Sequence, residues 1–261
     1  MSKNQVHSYG NLAETGLAEQ PSSTKRLSLG HYIDDGAQKY RYAKISDASG
    51  VSPGKLYVQH RTSGYHLADS AYIQCVNNGA YGGQLGDTVV KVYSAVGLSA
   101  DAFVDGFLTT STGVGAGYGA NRINHYETGV AGKATKIFLD KPLRQKLSTT
   151  SRLVVHKSPY MDLVEASGVT GTASRSAIPR GWGVVSGDAG ASGYSFIQTK
   201  GIGNIYCQQA VLMGEHLTPT SGGGVYGLSN AAVSGGEADI VAKALCAAGD
   251  GDFVAADLLL E

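Results

Sequence analysis

Apolar and polar positions alternate along this chain in short runs, and the runs are separated by glycine, proline and asparagine. The segment Thr88–Tyr93 alternates with a period of two, as a half-buried strand does. Thr135–Leu139, Arg152–His156 and Tyr194–Thr199 read the same way, and Tyr40–Ile45, Lys55–Gln59 and Ala71–Val76 are short and β-prone. Turn chemistry lies between them at Ser52-Pro53-Gly54, Asn77-Asn78-Gly79, Asp105-Gly106, Ser158-Pro159 and Gly222-Gly223-Gly224. Roughly a dozen short strands with frequent turns predict an all-β chain, a sandwich or barrel-like arrangement with long Gly-rich loops.

Helical signals are few. Pro142–Leu147 is suited to one turn, since proline fits the first helical position. Ile240–Ala248 is alanine-rich and ambiguous by propensity, but its neighbours decide it. Gly249-Asp-Gly-Asp252 is a turn and Phe253–Leu260 has the length and composition of a strand, so the pattern predicts a terminal hairpin of Val241–Leu245 with Phe253–Leu260. Leu245, Phe253, Leu258 and Leu260 are its expected core residues. Residues 1–30 are polar with little alternation and are expected to form an extended arm held against a partner molecule. Residues 31–261 then form the β-rich domain, with a division into two lobes near residue 166 as an option.

Composition sharpens this picture. Glycine supplies 37 of 261 residues, or about 14%, roughly twice ordinary usage. The 21 Lys and Arg balance 21 Asp and Glu, and only 16% of residues are charged, against about 25% in ordinary soluble chains. A neutral chain lacks the basic footprint that neutralises phosphates, which argues against a nucleic-acid partner. Little self-repulsion also remains to keep copies apart, so permanent assembly is favoured. No apolar stretch has the length of a membrane span, and the opening residues lack the apolar centre of a signal peptide. Cys75, Cys207 and Cys246 match no metal or disulfide spacing and read as reduced, buried thiols. Fifteen tyrosines suit either β-sheet or an interface.

The motifs that resemble chemistry fail on context. Gly50-Val-Ser52-Pro-Gly54 fits a hydrolase nucleophile elbow, yet Pro53 and Gly54 lead into a strand where the elbow needs a helix. Gly113–Gly119 approaches the dinucleotide fingerprint, but the following Asn121–Tyr126 alternates like a strand, so a hairpin tip is expected. The seven histidines never fall at metal-ligand spacing, and Gly214-Glu-His216 stands alone; only strand pairing could unite His125 and His156. Asp250 and Asp252 lack the further ligands of a calcium loop. No catalytic, cofactor or metal residue is assigned.

The order of several segments resembles structural proteins of tailed-bacteriophage heads, specifically capsid decoration or head-associated proteins. The pieces are Tyr40–Lys44, Pro53–Val58, Asp105–Leu108 leading to Asn121–His125, Leu139–Leu143, Ser158–Tyr160 and Tyr194–Gly201. The hairpin of Val241–Leu245 with Phe253–Leu260 completes the series. The last portion is similar to small β-rich head-stabilising proteins, although this chain is more than twice as long as such a module. The resemblance implies a capsid decoration, or cement, protein with no enzyme activity and no cofactor. It also implies a virion location on the capsid surface after synthesis in a bacterial cytoplasm. Its partners would be the major capsid protein and other copies of itself, as a homo-trimer or homo-dimer. Another virion component, such as a tail or head–tail connector protein, is the alternative, and a serine hydrolase using Ser52 is a remote one. Gly113–Gly119 and Gly222–Gly224 are read as tips suited to close packing of identical copies, or as idle surface loops.

Overall fold

The computed structural model describes residues 21–34, 36–46, 52–59, 66–67, 73–75, 83–94, 98, 102–166, 182–185, 193–220, 222–230 and 240–260. The chain is all-β, as its alternation predicts, and a 3-10 turn at Leu228–Asn230 is the one helical piece among the described residues. Two compact units are present: Met1–His60 with Pro159–Glu261, and Arg61–Ser158 inserted between them. In place of one division near residue 166, the chain crosses between units twice, at 60/61 and at 158/159.

The first unit opens with β1 (Tyr32–Asp34), β2 (Lys39–Ile45) and β3 (Leu56–Gln59). The insertion holds β4 (His66–Leu67), β5 (Ile73–Cys75), β6 (Val89–Ser94), β7 (Phe107–Thr112), β8 (Asn121–Tyr126), β9 (Lys133–Leu139) and β10 (Arg152–His156). Back in the first unit come β11 (Leu163–Glu165), β12 (Trp182–Val185), β13 (Gly193–Tyr206) and β14 (His216–Pro219), then β15 (Val225–Gly227), β16 (Ala242–Ala244) and β17 (Phe253–Leu259).

Five strands of the first unit close into a ring in the order β2, β11, β3, β12, β13 and back to β2. Ala43, Ile45, Tyr57, Leu163 and Ile197 form one buried cluster on these strands. A second cluster packs Tyr42 and Phe196 with Leu29, Ile33, Tyr40 and Met161. Both faces of the first half of β13 are therefore covered, which explains why Ser195–Thr199 is buried without alternation. Residues 21–30 supply part of the cover. Ser22 exchanges backbone hydrogen bonds with Tyr194, Arg26 N–H donates to the Tyr42 hydroxyl, and Leu29 is buried. The described part of the expected arm, residues 21–30, lies against its own chain. Residues 1–20 fall outside the described set.

The second half of β13 pairs with β17 from Lys200 to Tyr206, and the sheet continues through β16 and β14 to β15. A bridge from Cys207 to Val225 brings the end of β13 beside β15, so this part of the sheet also curls round on itself. Its core holds Ile205, Cys207, Leu217, Val225, Val241, Val254, Ala256 and Leu258.

In the insertion, β10, β5, β6, β9, β8 and β7 form a closed antiparallel ring of six strands, with β4 paired to the end of β10. Closure removes the open sheet edges that invite aggregation. Val90, Val92, Ile123, Ile137, Leu153 and Val155 are buried together there. The Asp105-Gly106 turn forms with Asp105 at φ 62, and a side chain at Gly106 would overlap the His156 carbonyl. Pro142–Leu147 is not helical. Its backbone bonds elsewhere, Leu143 N–H to Asp87 O and Leu147 N–H to Gly83 O, while both leucines enter the core. Tertiary partners outcompete a one-turn helix, whose nucleation costs more than it returns.

Candidate interaction surface

The terminal hairpin forms as predicted, with β16 and β17 paired from Ala242↔Leu258 to Ala244↔Ala256. Its phase differs from the expected core set. Leu258 is buried and Leu260 is half-buried against the same cluster, but Phe253 is 56% exposed and Leu245 42%. Strand geometry sends alternate residues to opposite faces, so Val254, Ala256 and Leu258 turn inward and Phe253, Asp257 and Leu259 outward.

Register extends the outward face across neighbouring strands. Lys200, Ile202, Asn204 and Tyr206 of β13 stand opposite Leu259, Asp257, Ala255 and Phe253, and Lys243 of β16 stands opposite Asp257. Directly opposed residues share a face. Leu245 donates its N–H to Ala255 O, which places it beside this row.

Next to Leu245 is a turn that presents two further large apolar side chains. Leu212 is 70% exposed and Met213 74%. Gly214 N–H bonds Ala244 O and Val211 exchanges hydrogen bonds with Ala248, so the turn is stitched to the β16 end of the hairpin. Glu215 clamps it from within: its carboxylate accepts from Leu212 N–H at 2.9 Å, from Ser229 N–H at 3.0 Å and from the Ser229 hydroxyl. The Leu212 N–H, then the Ser229 hydroxyl, hold the Glu215 carboxyl below the usual carboxylate range. Gly227 lacks a side chain where one would overlap that carboxylate. With its backbone held in this way, the turn presents Leu212 and Met213 near Leu245 as an exposed apolar knob.

A cleft of about 580 Å³ lies beside the β13 register shift, lined by Gln38, Tyr40, Gln198, Ile202, Asn204 and Phe253 among others. Gln38 and Gln198 each donate from Nε2 to the Ile202 carbonyl, at 2.6 and 3.0 Å, and Gln198 also donates to Lys200 O. The Tyr40 hydroxyl donates to Gln38 Oε1. Tyr206 packs edge-on against Phe253 at 5.8 Å, and a side chain at Gly54 would overlap the Phe253 ring. The ring thus packs beside Tyr206 and Gly54 while the residue stays 56% exposed.

The sequence candidates take other places. Ser52 is exposed in the turn before β3, its N–H bonded to the Tyr57 hydroxyl, and a strand follows it where an elbow needs a helix. Gly113–Gly119 is the β7–β8 tip, but it is not idle: Gln145 Nε2 donates to Gly115 O, and the Ser151 hydroxyl to Val114 O. Gly222–Gly224 lies in the connection between β14 and β15, with Gly222 exposed. Gly223 is buried, accepting from Leu56 N–H and donating to Ala166 O. His125 stacks on Phe138 at 4.0 Å while His156 meets the Thr109 hydroxyl, so strand pairing does not unite the two. Asp250 and Asp252 lie in the hairpin turn, stitched to Cys207 by backbone bonds from Gly251 and to Asp252 O. Among the described residues no three metal-ligating side chains cluster. Cys207 is buried, and burial pushes its thiol up to about 11; Cys246 is exposed, contrary to expectation. The Cys75 side chain and the Asn77-Asn78-Gly79 turn fall outside the described set.

Sequence reading missed the Leu212–Met213 turn. Its available signal was two large apolar residues directly before Gly214-Glu215, where a turn exposes what a strand would bury. No family model, curated protein or solved structure matches this chain.

Proposed function

We propose that this protein is a structural component of a bacteriophage virion that binds the outer surface of the capsid and stabilises it, as a cement protein does. The observation that carries the reading is the knob of Leu212, Met213 and Leu245. Large exposed apolar side chains on a hydrogen-bonded turn, with a third on the strand end bonded to it, suit an interface anchor. The resemblance of the segment order to head decoration proteins supplies the partner, the major capsid protein. The low charge of the chain suits dense packing of copies, as a homo-trimer or homo-dimer. A bound cement protein stabilises only the assembled shell, by mass action. With on the order of hundreds of sites per head, avidity makes weak single contacts sufficient.

The test adds wild-type protein or the Leu212→Asp/Met213→Asp variant to phage heads that lack it. Wild type is expected to occupy the heads and raise the temperature of genome release. The variant, melting like wild type in isolation, is expected to bind with at least about tenfold lower affinity, the loss of a central apolar anchor. Equal occupancy by both proteins overturns the docking knob. Equal thermal release with and without bound protein overturns cementing, and a few copies per particle would move the protein to the tail or connector.

A further inference from the structure

The cleft beside the β13 register shift is equipped for a ligand of defined chemistry. None of the residues that line it carries a formal charge, so a phosphorylated or carboxylated ligand would lose its hydration with no counter-charge in return. Phe253 offers an exposed aromatic surface flanked by Tyr206 and Gly54, and such a surface recognises a flat apolar face. Gln198 adds a hydrogen-bond acceptor at fixed position. The residue is buried, its Nε2 donates to the backbone carbonyls of Lys200 and Ile202, and its Oε1 therefore faces away from those carbonyls. Oε1 has no hydrogen-bond donor among the described residues, and it stands 2.9 Å from where a side chain at Gly203 would begin. A carbonyl oxygen held at a fixed position is ready to accept from an incoming hydroxyl. Asn204, exposed on the rim, adds an amide that both donates and accepts.

We infer that this cleft binds a neutral saccharide, with the C–H face of one sugar ring on Phe253 and hydroxyls on Gln198 Oε1 and the Asn204 amide. Its volume of about 580 Å³ is in the range of small-ligand sites and holds one or two rings. The inference does not depend on the capsid reading, because Leu212, Met213 and Leu245 do not line the cleft.

A printed array of neutral, sialylated and sulfated glycans identifies the class, and NMR titration of the full chain with the neutral methyl glycosides it selects locates the site. Neutral glycans are expected to be retained, with amide shifts at Ile202–Asn204 and Phe253. Phe253→Ala and Asn204→Ala are expected to weaken binding at least about tenfold with an unchanged melting temperature, since both side chains are exposed. The Leu212→Asp/Met213→Asp variant should bind glycans like wild type while losing capsid occupancy, so failure of one proposal is distinct from failure of the other. Three results overturn the inference: no shift at these residues with neutral glycosides at about 10 mM, retention of charged glycans only, or equal binding by Phe253→Ala. Shifts at the same residues with an uncharged heptapeptide but with no glycan overturn it as well.

Discussion

Truncation of Leu258 and of Phe253, five residues apart on β17, should have opposite consequences. Leu258 is 1% exposed in the core of the curled sheet, so Leu258→Ala should cost about 2–5 kcal/mol by lost transfer energy and an unfilled cavity. Phe253→Ala and Leu245→Ala remove largely solvated atoms and should stay within about 1 kcal/mol. Urea denaturation of the three variants checks both expectations, and equal losses would refute the strand phase. The cysteines divide in the same way. At neutral pH the Cys207 thiol is buried and protonated, so iodoacetamide should label the Cys246 peptide of the folded protein and leave the Cys207 peptide intact, as read by mass spectrometry. Glu215 sets an acid limit on the knob. Its carboxyl titrates lower in the folded chain than in the unfolded one, so its contribution is complete above the usual carboxylate range. That contribution is lost as pH falls through the lower folded value. The Leu212 and Ser229 amide resonances should move together on acidification, and Glu215→Gln should abolish that movement.

At the scale of the element, β13 does most to position the candidate sites. Its first half is a wall of the five-stranded ring and its second half frames the cleft, with the register shift between them. Gly201 follows that shift at φ 85, and a Cβ there would overlap the Ala37 carbonyl oxygen. Gly36 has a similar φ of 88 but nothing within 4 Å of a Cβ. Asparagine tolerates the left-handed region, so Gly36→Asn should cost under about 1 kcal/mol. Gly201→Asn adds a steric collision with backbone and should cost about 2–4 kcal/mol while altering the cleft. Thermal melts of the pair separate conformational preference from lack of space. The hairpin of β16 and β17 was legible because its turn, length and composition agree. Its phase was not, because Phe253, Leu258, Leu259 and Leu260 are all apolar and hydrophobicity alone does not say which face has a core to meet.

At the scale of the whole molecule, the inserted unit has the geometry of a module. Its first and last strands lie together, His66 opposite His156, and in the host unit Gln59 stands opposite Leu163 on the returning strand. A short flexible linker replacing the insertion therefore has to join strands that already pair in the host unit. The host unit without Arg61–Ser158 should be soluble and β-rich by circular dichroism, with Leu258→Ala still destabilising it; an unfolded product would show that the insertion completes the host core.

The alternation of side chains, the glycine and proline punctuation and the scarcity of charge determined by themselves that this chain is all-β, where many of its strands run and where it turns. These are local properties, set by the period of the strand and the few residues that accept a turn's dihedral angles. Only the tertiary structure decided that two closed rings form, the residues of one interrupting the sequence of the other, because ring closure depends on pairings between strands distant in sequence. It also decided that Gly223 is bonded to the backbone of Leu56 and Ala166 and that Pro142–Leu147 is not helical. Above all, it turned Leu245, Phe253, Leu212 and Met213 outward: an apolar residue is buried only where some other element arrives to cover it, and that arrival is not written in its neighbours.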